Sequence, residues 1–380
     1  MAHPDRVLRR SGRRRHPRGH NSPNSISRDD EQSAAQQALN FIEFDPTKCL
    51  PQTQSVLFNL FPGEIRGLIF YYTLCDYEDT TILYDEKTCY RRPGYFAPRR
   101  TDTALLRTCQ QVYREAWFLP WTTREHTLFL TSPDRCPVRT TDAGHMQPVL
   151  NLINAVHGKT EINHIRVFPQ LYRLEPGHDL QHINDLPHFH PRRFTITLRH
   201  TDWWHWEIDA PLWIDSQFVN KCRFPDSVQE LCFELEGLER RKDQINSIAK
   251  QMIEKWQFER KDGVQLSAKD STIAVMRWSG SSTWGGARWV RDETQPETLD
   301  YYVATVVFKP AMKTLREPNY FAPKLEVRGF TPLRPARVFI PTSRLEQAHV
   351  PPGIPANDAV RMVEIQGTMA LSQILQTQST

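Results

Sequence analysis

The sequence contains no Cys-x-x-Cys pair, and its seven cysteines (Cys49, Cys75, Cys89, Cys109, Cys136, Cys222 and Cys232) are odd in number and widely spaced. That pattern fits reduced, buried thiols of the cytosol or nucleus better than a disulfide framework. No apolar run approaches the ~20 residues needed to span a bilayer. The longest is Leu68-Ile69-Phe70-Tyr71-Tyr72-Thr73-Leu74. No apolar stretch follows the start either, which argues against a secretory signal and for a soluble, intracellular protein. Glycine is scarce, 16 against 28 proline, so extended irregular segments are expected.

The body also lacks basic charge. Residues 1 to 20 hold seven of the 48 Lys and Arg and one of the 44 Asp and Glu, a balance of +6. The other 360 residues carry 41 basic against 43 acidic groups, so the whole basic excess sits in the tail. A fold that grips phosphate backbones usually carries a basic balance, and this one does not. Within the tail, Arg9, Arg10, Arg13, Arg14 and Arg15 form a cluster of the kind read as a nuclear-import signal, a weak nucleic-acid arm or a solvated charge run. Pro4, Pro17 and Gly19 spoil the amphipathic helix of a mitochondrial presequence.

Ten Trp and 19 Phe supply the material for a core. Residues 1–50 read as a disordered Arg-rich tail, 51–310 as one α+β body, and 311–380 as a Pro-rich, largely irregular tail with eight prolines between Pro318 and Pro355. The spacing predicts a helix from Pro62, with Ile65, Leu68, Ile69 and Tyr72 at i, i+3, i+4 and i+7. Further helices are expected at Thr103 to Phe118 and at Ala143 to His157, the latter with Val149, Ile153 and Val156 inward. The longest amphipathic helix is Leu238 to Trp256, with Ile245, Ile248, Ala249, Met252 and Trp256 in one stripe. Strand candidates are Thr127 to Leu130, Ile162 to Phe168, Phe194 to His200, Trp204 to Ile208, Val228 to Leu235, Ile273 to Trp278 and Tyr301 to Phe308. Asp262-Gly263 marks a hairpin turn. Helices first, then strands under one long covering helix, give an α+β fold with a mainly antiparallel sheet.

Chemistry-bearing patterns are weak. His178, His182, His188, His190, His200 and His205 crowd one region, but no Cys or acid completes a zinc set, so no metal is expected. The Ser279 to Gly286 run matches neither a phosphate loop nor a nucleophile elbow, and reads as a flexible loop. Its neighbours Trp278, Trp284 and Trp289 would make an apolar surface if that loop were ordered. Trp203, Trp204, Trp206 and Trp213 stand among acids, which favours core packing over base stacking. No spacing picks out a catalytic set or a cofactor loop, so a non-enzymatic protein is expected.

The segment Leu60-Phe61-Pro62-Gly63-Glu64-Ile65-Arg66-Gly67-Leu68-Ile69-Phe70 resembles the opening of fungal F-box-like proteins, whose pattern is Leu-Pro-x-Glu-Ile-Arg-x-x-Ile-Tyr. The run from Ala104 to Ala116 resembles that family's second helical signature. The resemblance covers about residues 55 to 310, with the helical start at about 55–120. It implies a protein-interaction module that docks on the Skp adaptor of a cullin-RING ubiquitin ligase through Pro62, Ile65, Leu68, Ile69 and Tyr72. The same stripe could instead be internal core. The alternative function is a nuclear nucleic-acid-associated protein acting through its arginine tail.

Overall fold

The computed structural model describes residues 50 to 377 except 51, 139, 141, 312–319, 335 and 336, with side chains up to residue 370. The cluster Arg9, Arg10, Arg13, Arg14 and Arg15 lies outside these residues.

The described chain opens with a small helical layer. A turn of helix, Val56–Asn59, precedes the helix Gly63–Thr73, with Pro62 as its N-cap and Glu64 in its first turn. A 3-10 turn, Ala104–Arg107, and a helix, Gln110–Ala116, occupy the place of the single helix expected from Thr103 to Phe118. The break has a local cause. Thr108 saturates the Leu105 carbonyl with both its N–H (3.1 Å) and its hydroxyl (2.7 Å), and Cys109 is fully extended. Phe70, Leu74, Val112 and Ala116 form the buried centre of this layer. Arg66 clamps it with two hydrogen bonds to the Glu115 carboxylate, at 2.9 and 3.0 Å.

Between these helices the chain makes a short antiparallel pair, β1 (Asp76–Glu78) with β2 (Arg99–Thr101). The main sheet then opens with parallel strands β3 (Glu125–Leu130), β4 (Ile162–Pro169) and β5 (Pro191–Leu198). Short β6 (Trp213–Ile214) and β7 (Arg223–Phe224) follow, then β8 (Glu230–Leu238), β9 (Gln257–Arg260), β10 (Gln265–Ser267) and β11 (Ala274–Ser281). A small hairpin, β12 (Thr283–Trp284) and β13 (Ala287–Arg288), precedes β14 (Thr298–Pro310), and β15 (Leu325–Glu326) and β16 (Ile340–Pro341) come last. Spatial order in the main sheet is β3-β4-β5-β8-β14-β10-β9-β7, with β11 also beside β14. Pairings across all sheets are mainly antiparallel, as expected, while β3, β4, β5 and β8 form a parallel quartet.

One face of the sheet is apolar. Phe194, Ile196, Leu198, Leu231, Phe233 and Leu235, with Ala304, Val306 and Phe308 of β14, pack against the cover helix Lys242–Lys255. That helix presents Ile245, Ile248, Ala249 and Met252, all buried, with Trp256 just past its end, so the expected stripe holds. Each buried Ile, Leu, Val, Phe or Met side chain here contributes about 1.5–3 kcal/mol on leaving water.

Besides the broken helix at Thr103 to Phe118, and the cover helix that starts at Lys242 because Leu238 ends β8, four expectations differ from the structure. Trp204 to Ile208 is no strand: His205 and Asp209 flank a 3-10 turn, Trp206–Ile208, with φ of 53° and 57°, outside any extended conformation. The helix Ala143–His157 buries Met146, Leu150 and Ile153, whereas Val156 is exposed. Its stripe is rotated relative to the expected one. The Ser279 to Gly286 run is ordered, because Gly285 and Gly286 supply the two positive φ values (60° and 73°) of a two-residue hairpin turn. Finally, the 311–380 segment is not irregular throughout. It adds β15 to β6 and β16 to β13, and carries helices Thr342–Gln347 and Ala356–Thr377. Pro355 is the last proline of the chain, and beyond it Ala359 and Val363 bury at i, i+4 spacing with Ile340 and Val290.

Candidate functional site

The helix Gly63–Thr73 places the sequence-predicted residues on its outer side. Ile65, Leu68 and Tyr72 are 40%, 53% and 71% exposed, Pro62 is exposed beside them, and only Ile69 turns partly into the core. The buried pair is Phe70 and Leu74, about half a turn away around the axis. The helix is thus apolar on two opposite sides, and internal core accounts for one of them. Val56 and Leu60, just ahead of the helix, are exposed as well.

A second arrangement was not legible in the motifs. The sheet face opposite the cover helix is polar and buried. Alternation along each strand carries Glu125 of β3, His164 and Arg166 of β4, Thr195 and Thr197 of β5, and Glu234 and Glu236 of β8 to this side. Arg166 donates to Glu234 at 2.6 Å, to Thr197 at 2.8 Å and to Glu125 at 3.2 Å. His164 bridges Glu125 (2.7 Å) and Thr195 (2.8 Å). The 76–101 segment closes over the network: Arg92 lies 3.5 Å from both Glu234 and Glu236, and the Tyr95 hydroxyl donates to Glu125. Just past β5, Arg199 holds Asp202 at 2.7 and 3.1 Å.

Burial alone would raise all three carboxyls. At Glu125 the His164 hydrogen bond and the Arg166 charge outweigh it, and at Glu234 the charges of Arg166 and Arg92 do so, so both stay below the usual range. At Glu236 burial wins and the carboxyl is pushed up. Burial pushes the imidazoles of His126 and His200 down to about 3.

These two histidines give the fold a pH dependence with a definite sign. From pH 6.5 to 3 the unfolded chain binds protons that the folded histidines refuse. Each histidine therefore removes about 1.4 kcal/mol of stability per pH unit of acidification. Glu236 acts in the opposite sense above its unfolded pKa, where its folded carboxyl keeps the proton longer, and opposes part of this loss. A net loss of stability on acidification is expected between pH 6.5 and 4.5, read from urea midpoints. A midpoint independent of pH over that range would contradict the burial of these imidazoles.

At the end of the polar face, beyond the carboxyl end of β5, lies a cavity of about 820 Å³. His200, Thr201 and Glu236 line it together with Trp278, Trp284 and Tyr301. The Trp278 ring stacks on Tyr301 at 4.1 Å and 10°, and its Nε1–H donates to Glu236 at 3.3 Å. Trp284 and Trp289 stack 5.7 Å apart and meet Trp206. These tryptophans form a packed cluster continuous with the cavity wall rather than an open apolar surface. Trp203 is buried, donating its indole N–H to the Glu236 carbonyl, and Trp204 stacks on Trp213, which fits the packing role expected for them.

His178 and His182 lie on a short helix, His178–Asn184, whose tight entry requires Gly177: at φ 82° a Cβ there would sit 3.1 Å from Phe218 Cα. Among the described residues no group of three His, Cys, Asp or Glu is placed to hold a metal ion, no helix is long and apolar enough to cross a membrane, and six cysteines are free. No protein-family model, no curated protein and no solved structure matches the chain.

Proposed function

We propose that the chain is a non-enzymatic protein-interaction module that docks through its outer helix face on the Skp adaptor of a cullin-RING ligase and presents the sheet body to a target. The observation that carries this reading is the solvent-facing set Ile65, Leu68 and Tyr72, on the very segment that resembles an F-box opening. A helix that already buries Phe70 and Leu74 has no need of a second apolar side for folding. Desolvating that side against a partner gives it a use.

Leu68→Asp tests the reading cleanly because Leu68 is half exposed. Its thermal melt is expected to match wild type, while affinity for purified recombinant adaptor falls by about 30-fold or more, the range of a hot-spot loss. Phe70→Asp is the contrasting control, and should unfold the helical layer. Adaptor binding that survives Leu68→Asp, or a folded wild-type protein that binds no adaptor, rejects the proposal.

A further inference from the structure

One stretch of chain walls two cavities. Glu86, Lys87, Cys89 and Phe96 line the 820 Å³ cavity, whereas Tyr84, Tyr90, Tyr95 and Ala97 line a second, of about 160 Å³, bounded by Thr127 and Phe129 of β3. Arg199 lines both, so the two spaces are neighbours beneath residues 84–97. This stretch is fastened to itself. β1 pairs with β2, the Asp79 N–H donates to the Pro98 carbonyl at 2.9 Å, and the Tyr84 N–H donates to the Phe96 carbonyl at 2.8 Å. Among the described residues, every backbone hydrogen bond of residues 76–101 stays inside that segment. Its side chains pack on each other as well, Arg91 against Glu86 at 2.6 Å and Tyr84 edge-on to Tyr90 at 5.4 Å. On a larger scale this is the build of an Ω-loop, whose ends meet and whose own side chains fill it.

Two side chains tie it to the body. Among the described residues, Arg92 and Tyr95 alone carry ion pairs or hydrogen bonds out of 76–101. Arg92 holds weakly. Its Nη2 lies 3.5 Å from both Glu234 and Glu236, and its Nε and Nη1 have no partner although the residue is only 3% exposed. Buried donors left alone cost stability, and moving to water removes that cost. Tyr95 adds one hydroxyl to Glu125 and an edge-on contact with Phe168 at 5.1 Å.

Lifting this segment would disturb little of the core. Ala97 is its only fully buried apolar side chain, and none of its residues belongs to the buried part of a hydrophobic cluster. Beneath it lie charged groups, Glu125, Arg166, Glu234 and Glu236, which water would solvate again. A region with few buried apolar contacts and self-contained hydrogen bonds opens locally, at a fraction of the free energy of global unfolding.

We propose that residues 79–98 are a lid, hinged on the β1–β2 pair and latched by Arg92 and Tyr95, whose opening joins the two cavities into one cleft over the charged face of the sheet. The lid does not depend on the adaptor reading, and it is tested with no adaptor present.

The chain carries its own reporters. Cys89 sits on the segment, packed against the cluster of Trp206, Trp284 and Tyr301, while Cys75 is exposed and Cys222 is buried in the main core. The experiment is iodoacetamide labelling of the folded full chain, with each cysteine followed by mass spectrometry and its rate divided by that in the urea-unfolded chain. Cys89 is expected to label at least about tenfold more slowly than Cys75 and at least about tenfold faster than Cys222. Arg92→Leu should speed Cys89 at least about tenfold and leave Cys222 unchanged. Tyr95→Phe, which deletes one hydroxyl, should speed it about threefold or more, and it decides the matter if Arg92→Leu does not fold. Cys89 as slow as Cys222 would mean that the segment opens only when the whole chain unfolds. Cys89 as fast as Cys75 would mean that nothing closes over it. Either result overturns the lid, as does a folded variant that leaves Cys89 unchanged or speeds Cys222 equally.

Discussion

Replacing Arg166 by leucine is expected to lower the unfolding free energy by about 3–5 kcal/mol, because it strands two buried carboxylates at once. Arg166 reaches Glu234 and Glu125 from the middle of β4, and Thr197 passes a further hydrogen bond to Glu234 at 2.9 Å. With the guanidinium gone, neither acid keeps a full counter-charge: Glu234 retains only Arg92 at 3.5 Å, and Glu125 retains His164. Arg166→Lys should recover part of the loss, since one ammonium cannot serve both carboxylates with fork geometry. The double change Arg166→Leu with Glu234→Leu should cost less than the two single changes summed, which is the signature of a coupled pair. Urea denaturation monitored by circular dichroism measures all of these. A loss below about 1 kcal/mol for Arg166→Leu would mean that water reaches the network and screens it.

Trp256→Ala is expected to be equally severe, at about 3–5 kcal/mol for the cavity alone. Trp256 heads the fully buried side chains, and its ring meets Phe218 edge-on at 5.5 Å, Phe258 at 6.0 Å and Phe233 at 6.2 Å. Its indole N–H donates to the Pro323 carbonyl at 2.9 Å, so truncation also leaves a partly buried acceptor unpaired. The same corner ties residue 320 back to the cover helix: the Tyr320 hydroxyl bonds the Lys255 carbonyl at 2.6 Å and the Gln257 N–H at 2.7 Å. Trp256→Phe should keep most of the packing and lose the hydrogen bond, costing about 1–2 kcal/mol. The near-ultraviolet circular dichroism of Trp256→Ala should collapse with the thermal midpoint. An unchanged midpoint would contradict the burial.

Much of this architecture could be read from apolar spacing, and the errors share a cause. The cover helix was legible because its polar side, with Lys250 and Glu254, leaves one apolar stripe to choose. The helices Gly63–Thr73 and Ala143–His157 carry apolar residues on more than one side, so period alone cannot fix which side is buried. The buried ion network escaped notice for a different reason. Glu125, Arg166 and Glu234 are more than thirty residues apart from one another, and only the register of four parallel strands brings them together. Strand alternation puts a charge on one face but says nothing of what covers it. The C-terminal helix was hidden by composition, because eight prolines ahead of it colour the whole segment.

The position of β14 has a consequence for a chain made from one end to the other. This strand sits in the middle of the main sheet, yet it follows its neighbour β8 by about sixty residues. A nascent chain that has just completed β8 exposes an open edge bearing Leu231, Phe233 and Leu235, and holds it open while the cover helix, β9, β10 and β11 emerge. The cover helix has only part of its seat until Ala304 and Val306 arrive. The central core therefore closes late and almost at once, after most of the body has left the ribosome. During that interval a holding chaperone has the most to protect, and crowded synthesis does the most damage.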